Sequence, residues 1–222
     1  MKHPTLLALV LLVLLASACA GGAAASSDDG RLTVVTTTGQ IGDTARIVGG
    51  DHVRVLSLMG PGTDPHLYVA GISDVDKLRG ADIVFYNGLF LEAQMEAVLE
   101  QLAERQTVVA VSAGIDPAKL LPSAKFANEF DPHIWFDVRL WMQTVEQVRD
   151  TLMAADPANA ADYEANAAAY LAELTALDAY VTAQAARVPE AQRVLITAHD
   201  AFNYFGRAYG FEVLGLQGIS TA

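Results

Sequence analysis

Short apolar runs alternate with amphipathic stretches along most of the chain. The pattern from residue 31 to residue 111 predicts strands at 32–38, 52–58, 82–86 and 107–111, and helices at 41–48, 73–80 and 90–105. Alternating strands and helices are typical of parallel strand pairing with right-handed crossovers. The stretch 112–132 has no clear period and is long for a loop. We therefore predict an α/β lobe and assign residues 31–155 to it.

Two helices are predicted next. Asp137 is a suitable N-cap for the first, whose apolar residues recur at intervals of three and four. Asp156-Pro157 opens the second, and its apolar stripe continues almost to Pro189. About 30 helical residues would span about 45 Å, so we interpret residues 156–190 as a rigid helix that links two lobes. A coiled-coil helix is the alternative interpretation of such a stripe.

The alternation of strands and helices restarts beyond the long helix. The pattern predicts a strand at 193–197, a helix at 201–209 and a strand at 211–216. Two strands cannot bury a core on both faces, so we interpret residues 191–222 as the start of an incomplete second lobe. The predicted fold class is α/β, with two lobes of parallel βα units joined by one long rigid helix and the C-terminal lobe truncated.

The N-terminus has the features of an export signal. Its apolar run, residues 6–18, is shorter than the roughly 20 residues that a membrane-spanning helix needs, so residues 1–18 are predicted to be a signal peptide. Cys19 is the only cysteine, and the preceding Leu15-Ala16-Ser17-Ala18 resembles a bacterial lipobox with alanine at a position that is more commonly leucine. Plain cleavage after Ala18 is the alternative. We favour lipidation of Cys19, because the small and polar residues 19–30 would then form a flexible tether.

The charge of the chain excludes one class of function. It carries 26 acidic and 14 basic residues, a net charge of −12. Binding to nucleic acid requires a basic face, so we expect no nucleic-acid partner. An acidic balance suits a soluble protein that attracts cations.

Three histidines indicate a candidate metal site. The sequence Asp-Pro-His occurs at residues 64–66 and again at 131–133, and His199 follows a predicted strand. Proline and the restricted residue before it stiffen the backbone that presents the imidazole. Neutral imidazole binds transition metals such as zinc. Any one of these histidines is more often packed or solvated than a ligand, but His66, His133 and His199 together indicate a transition-metal site.

Three aspartates and a fourth histidine near these residues also have predicted roles. Asp64, Asp131 and Asp200 are candidate acceptors for the second nitrogen of a ligand imidazole. Capping of a helix is the more usual role for Asp200. His52 leads a strand with no proline nearby, so we interpret it as structural.

Four segments of the chain resemble the zinc/manganese solute-binding lipoproteins of bacterial metal ABC importers. They are Gly62 to Tyr68, Ala81 to Gly88, Asp131 to Asp137, and Thr197 to Phe202 followed by Tyr204-Phe205. The resemblance extends over residues 31–222. It implies that the metal lies between the two lobes, with His66 and His133 as ligands from the first lobe and His199 from the second. It also implies a fourth ligand, an aspartate or glutamate, beyond residue 222.

The resemblance further implies what the protein does. It would capture Zn²⁺ or Mn²⁺ outside the cytoplasm and deliver the ion to an ABC permease, as a monomer without enzymatic activity. Lipidation at Cys19 would anchor it to the cell membrane, in the periplasm or at the cell surface. Three nitrogens with one carboxylate favour Zn²⁺ by ligand type. Val69 departs from the family, because many members have glutamate there.

Two other functions are open to the sequence. A zinc-dependent hydrolase would use three histidines and an open position for water. It would also need a general base, for which the sequence offers no HExxH motif and only Glu129, near His133 in the chain. A surface adhesin is the second alternative, since similar proteins have been described as adhesins.

Overall fold

The sheet of the first lobe consists of four parallel strands. In the computed structural model, which describes residues 30–123 and 129–217, these strands are β1 (Leu32–Thr36), β2 (Val53–Ser57), β3 (Ile83–Tyr86) and β4 (Thr107–Ala110). Their order across the sheet is β2-β1-β3-β4. Val34 pairs with Val55 on one side and with Ile83 on the other. Because all the strands are parallel, their carboxyl ends lie at one edge of the sheet.

Helices cover both faces of this sheet. Side chains alternate between the faces along a strand, so Val34 and Ile83 face one side while Val35 and Val84 face the other, all four fully buried. The first side packs against α1 (Gly39–Gly49) and two long helices described below. The second side packs against α2 (Ile72–Arg79) and α3 (Glu96–Ala103). A sheet buried on both faces explains the near-continuous apolar runs of β1 and β3.

The two predicted long helices are α4 (Val138–Ala155) and α5 (Ala160–Ala185). The Asp137 carboxylate accepts from the backbone N–H of Arg139 at the start of α4, as expected of an N-cap. Pro157 begins a single 3₁₀ turn that leads into α5. With 26 residues, α5 is about 39 Å long and packs against α4 and α1. Within residues 30–123 and 129–217, no helix combines the length and apolar character that crossing a membrane requires.

The second lobe is built from β5 (Val194–His199), α6 (Asn203–Tyr209) and β6 (Glu212–Gln217). The two strands are parallel, with Leu195 opposite Val213. One face of this small sheet carries exposed apolar side chains, among them Ile196 at 61% and Leu216 at 76% exposure. Leu195 and Val213 point to the opposite face and are partly buried. The predicted α/β fold with two parallel sheets and one long helix is therefore confirmed.

Helix α6 ties the second lobe to the first. The Tyr204 side chain is fully buried, and its hydroxyl donates to the carbonyl of Asp131 at 2.8 Å. The same oxygen accepts from the backbone N–H of Leu121 at 3.0 Å. Burial raises the pKa of Tyr204 to about 12, so the hydroxyl keeps its proton as a donor at neutral pH. Tyr204 of the second lobe therefore holds the long loop before His133 in place through two hydrogen bonds.

The helix predicted at 90–105 is wrong at its start. Leu89 and Phe90 have positive φ angles of 55° and 65°, and a 3₁₀ turn at Ala93–Met95 precedes α3. This turn brings the carboxylate of Glu92 back onto the backbone N–H groups of the strand end. The polar contact overrides the helical periodicity of the sequence.

Other predicted boundaries also shift. Ser73 is not an N-cap, because α2 begins at Ile72 and the Asp74 carboxylate accepts from the N–H of Gly71. Strand β1 ends at Thr36 rather than at residue 38, and α6 begins at Asn203 rather than at residue 201. The predicted signal peptide, Cys19 and nearly all of the predicted tether lie outside the described residues.

Candidate metal centre

Three imidazoles from distant parts of the chain meet between the lobes. His66 lies in the loop after β2, His133 follows the long loop before α4, and His199 is the last residue of β5. The Nε2 atom of His133 is 3.2 Å from that of His66 and 3.1 Å from that of His199. We call these three residues the histidine cluster. The structure thus brings together all three histidines that the sequence singled out.

The spacing of these nitrogens fits a bound transition metal. A tetrahedral zinc ion with metal–nitrogen distances of about 2.0–2.1 Å has nitrogen–nitrogen edges of about 3.3–3.4 Å. One ligand atom from each imidazole lies within 4.8 Å of the others, and no further histidine, cysteine or carboxylate joins this group within the described part of the chain. Small shifts of the rings would therefore suffice to place one ion in contact with all three.

Asp131 fixes the ring of His133. One carboxylate oxygen, Oδ1, accepts from the backbone N–H of His133 at 3.0 Å and from its ring Nδ1 at 2.7 Å. Both residues are buried, at 4% and 1% exposure. An acceptor at Nδ1 places the proton of a neutral imidazole there, so the Nε2 lone pair faces the histidine cluster. The expected hydrogen bond from Asp131 to a ring nitrogen of His133 is therefore present.

The two other aspartates contact the backbone or helix α6. Asp64 accepts from the backbone N–H of His66 at 2.9 Å, which closes a tight turn around Pro65 and orients this histidine. The Asp200 carboxylate accepts from the side-chain amide of Asn203 at 2.9 Å. The N-cap of α6 is Phe202, without a side-chain capping bond, so the capping role expected of Asp200 is wrong and its carboxylate instead contacts the side chain of the first helical residue.

Aromatic side chains from both lobes line the space beside the histidine cluster. A cavity of about 410 Å³ opens there, and Trp135 packs edge-on to His133 with ring centroids 5.3 Å apart. Phe136 of the first lobe stacks on Phe202 of the second, with centroids 4.1 Å apart. Glu129, the candidate general base, is not among the described residues that line this cavity. The walls are therefore mostly apolar around three convergent nitrogens.

A buried polar network behind the site was missed by the sequence analysis. The side-chain amide of Asn87 donates to the carbonyl of Pro132, next to His133, at 3.0 Å. Glu92, at 3% exposure, holds Asn87 in turn, because its Oε1 accepts from the Asn87 backbone N–H at 2.8 Å. The same carboxylate accepts from the Thr37 hydroxyl at 2.7 Å and from the Gly88 N–H at 3.2 Å. The only signal in the sequence is a glutamate inside an apolar run.

We expect Glu92 to make stability depend on pH. Burial raises the pKa of Glu92 above its ordinary value of 4.5, although the hydrogen bonds from Thr37, Asn87 and Gly88 oppose this shift. As the pH rises from 4.5 towards the raised pKa, the native state keeps a proton that the unfolded chain has released, so stability should fall. Glu92→Gln should lack this dependence in urea unfolding measured across that range.

Glu92→Ala should lower the free energy of unfolding by about 2–4 kcal/mol, because it leaves buried donors without an acceptor. Glu100→Gln on the exposed side of α3 is the control and should behave as the wild type. An alanine variant as stable as the wild type would contradict a structural role for the network.

An α/β protein of two lobes, joined by a long helix and with three convergent imidazoles between them, has the architecture of a solute-binding protein. The chain belongs to the family described as zinc-uptake complex component A, periplasmic (ZnuA), whose family model matches residues 34–222. This is a family of substrate-binding transport proteins and not of enzymes.

Individual relatives differ in the metal that their names give. The chain is 46% identical over 190 residues to the manganese-binding lipoprotein MntA of Bacillus subtilis (strain 168), covering 86% of this chain and 62% of the relative. It is 47% identical over 189 residues to the zinc-binding protein TroA of Treponema pallidum (strain Nichols), covering 85% and 61%. It is 34% identical over 190 residues to the iron-binding protein YfeA of Yersinia pestis, covering 85% and 60%.

The solved structure of the periplasmic zinc-binding protein TroA from Treponema pallidum has the same fold. It superimposes with a TM-score of 0.84 at 47% identity, over 87% of this chain and 69% of that one. The chain spans about three fifths of the length of the curated relatives it matches.

Proposed function

We propose that this protein captures one divalent transition-metal ion with His66, His133 and His199 and delivers it to an ABC-type permease for uptake. The observation that carries this proposal is the convergence of three imidazole nitrogens from both lobes, one of them oriented by a buried aspartate. Membership in the zinc-uptake family supports the transport role. The ion is the cargo of the protein. It is held between the two lobes by histidines from both of them.

Zn²⁺ is the favoured cargo, and Mn²⁺ is the alternative. Imidazole ligands suit Zn²⁺, which also binds most nitrogen sites more tightly than Mn²⁺ does. The relatives include proteins named for zinc and for manganese, so kinship alone does not decide between the two. Protons compete with the metal for imidazole nitrogen, and affinity should therefore decrease in acid.

Titration calorimetry of the chain with Zn²⁺ and with Mn²⁺ tests this proposal. We expect saturable binding of one ion per chain, with the higher affinity for Zn²⁺. Absence of saturable binding by either ion would contradict the proposal. A stoichiometry that persists when all three histidines are replaced by alanine would show that the ion binds elsewhere.

We favour binding over hydrolysis at this site. Zinc hydrolases need a general base beside the metal-bound water. Among the described residues that line the cavity, the one carboxylate is that of Asp64, and it already accepts from the backbone N–H of His66. The protein is therefore proposed to have no enzymatic activity. We also propose that it has no nucleic-acid partner, because its net charge is −12, and that it acts as a monomer. A screen with ester and peptide substrates in the presence of Zn²⁺ should show no turnover.

The location of the protein follows from the proposed lipid anchor. Residues 1–18 would direct export, and acylation of Cys19 would hold the protein outside the cytoplasm at the membrane that contains the permease. The domain arrangement would then be a tether at 19–30, a first lobe at 31–155, a linking helix at 156–190 and a second lobe from residue 191.

Replacing Cys19 with serine should release the protein from the membrane fraction, because one thioether-linked lipid anchor is lost. Immunoblots of fractionated cells would measure the distribution. A Cys19→Ser variant that stays in the membrane fraction would show that the anchor is not at this residue.

A further inference from the structure

Asn203 links the segments that carry two of the three imidazoles. It is the first residue of α6, and its amide nitrogen Nδ2 has two hydrogens to donate. One contact goes to Asp131 Oδ2 at 3.1 Å and the other to Asp200 Oδ1 at 2.9 Å. Asp131 belongs to the first lobe and Asp200 to the second, so one amide group joins the lobes.

Each of these carboxylates is directly connected to a member of the histidine cluster. Asp131 uses its other oxygen to accept from Nδ1 of His133 at 2.7 Å. Asp200 follows His199 in the chain, at the end of β5. A displacement of Asn203 would therefore be passed to His133 through a hydrogen bond and to His199 through the backbone.

The choice of an amide at this position is not explained by helix formation. A carboxylate in the first turn of a helix is favoured electrostatically, so aspartate would start α6 at least as well as asparagine. Aspartate at residue 203 would, however, place a third carboxylate within about 3 Å of two others and offer no hydrogen to either. Only a donor of this size satisfies both acceptors.

We propose that Asn203 is a positioning residue that holds His199 against His133 before the metal arrives, through its two hydrogen bonds to Asp131 and Asp200. This inference rests on the proposed function, because the property it sets is metal affinity. Asn203 does not contact the ion. It reduces the rearrangement that the two lobes undergo on binding, and preorganisation of this kind raises affinity.

Substitution of Asn203 separates donation of hydrogen bonds from helix initiation. Asn203→Ala should lower the affinity for Zn²⁺ about tenfold, at the low end of the effects of outer partners of metal ligands. Asn203→Asp should lower it further, although it keeps the size of the side chain and favours the helix. Asn166→Asp is the matched control, since Asn166 donates to the carbonyl of Val48 far from the site. Its affinity should equal that of the wild type.

A reciprocal exchange tests the Asp131 contact itself. In the double variant Asn203→Asp, Asp131→Asn, the amide at 131 can still accept from His133 Nδ1 with its oxygen and can donate to the new carboxylate. The double variant should therefore bind Zn²⁺ more tightly than Asn203→Asp alone. Losses that simply add in the double variant would overturn the inference, and so would wild-type affinity in Asn203→Asp.

A measurement without metal distinguishes a failure of this inference from a failure of the proposed function. In the metal-free protein, amide hydrogen exchange of residues 199–209 should be faster in Asn203→Asp than in the wild type or in Asn166→Asp. A wild-type protein that fails to bind either Zn²⁺ or Mn²⁺ would contradict the proposed function. Wild-type binding combined with unchanged exchange and affinity in both Asn203 variants would contradict only the role of Asn203.

Discussion

Replacing His133 with alanine should lower the affinity for Zn²⁺ by more than about 100-fold, because loss of a ligand exceeds the roughly 10–100-fold effect of losing an outer partner. His133 lies at the centre of the histidine cluster, with its Nε2 3.2 Å from that of His66 and 3.1 Å from that of His199. It is also the most buried of the three. Titration calorimetry with a competing chelator would measure the change, and circular dichroism would establish that the variant is folded.

His52→Ala is the matched control for this experiment. The ring of His52 contacts Asp162 at 2.8 Å and packs edge-on to Tyr163, so it connects the 3₁₀ turn before β2 to α5 and is not part of the histidine cluster. Its replacement should leave the affinity for Zn²⁺ unchanged. An equal loss in His52→Ala and His133→Ala, or no loss in either, would show that the histidine cluster is not the binding site.

The convergence of the three histidines could be anticipated from local sequence. Asp-Pro restricts the backbone on its own, and the aspartate two residues before a histidine can bond to that histidine's N–H. The structure has this bond at both His66 and His133. His199 ends a strand of the second, separate sheet, and ligands bind outside the carboxyl ends of parallel strands, which marks His199 as a candidate but does not by itself bring the two sheets together. These are short-range or topological rules, and they need no knowledge of distant partners.

The residues that support the site could not be predicted in the same way. Asn87 reads as part of a turn and Glu92 as part of a helix, because their partners come from segments that only the folded chain brings near. Thr37 is 55 residues away from the carboxylate that it contacts, and Asn203 is 72 residues away from Asp131. The spacing of apolar residues does not predict hydrogen bonds between such distant side chains. The helix predicted from residue 90 starts later for a different, short-range reason, because the Glu92 carboxylate accepts from the backbone N–H groups of Asn87 and Gly88.

Asp131 is the residue on which the local and the long-range contacts converge. Its Oδ1 accepts from the backbone and the ring of His133, and its Oδ2 accepts from Asn203. Its carbonyl accepts from the buried hydroxyl of Tyr204, but a side-chain substitution leaves that bond in place. Removal of the carboxylate alone thus tests orientation of the ligand without removing a ligand.

Asp131→Ala should lower the affinity for Zn²⁺ by about 10–100-fold, the range found for acceptors that orient a metal-binding histidine. It should also lower the free energy of unfolding by about 2–4 kcal/mol, because buried donors of His133 lose their acceptor. Asp131→Asn keeps one oxygen for His133 and should lose less of both. Calorimetric titration and urea unfolding would measure the two effects.

The control for Asp131→Ala is Asp116→Ala. Asp116 accepts from the backbone N–H two residues later, in Ala118, which is the same local bond that Asp131 makes to His133, but no imidazole is involved. Its replacement should leave the affinity for Zn²⁺ unchanged, because only Asp131 also sets the proton of a ligand ring. If Asp131→Ala unfolds more easily than the wild type and yet binds Zn²⁺ as tightly, then Asp131 stabilises the loop before α4 and has no part in orienting His133.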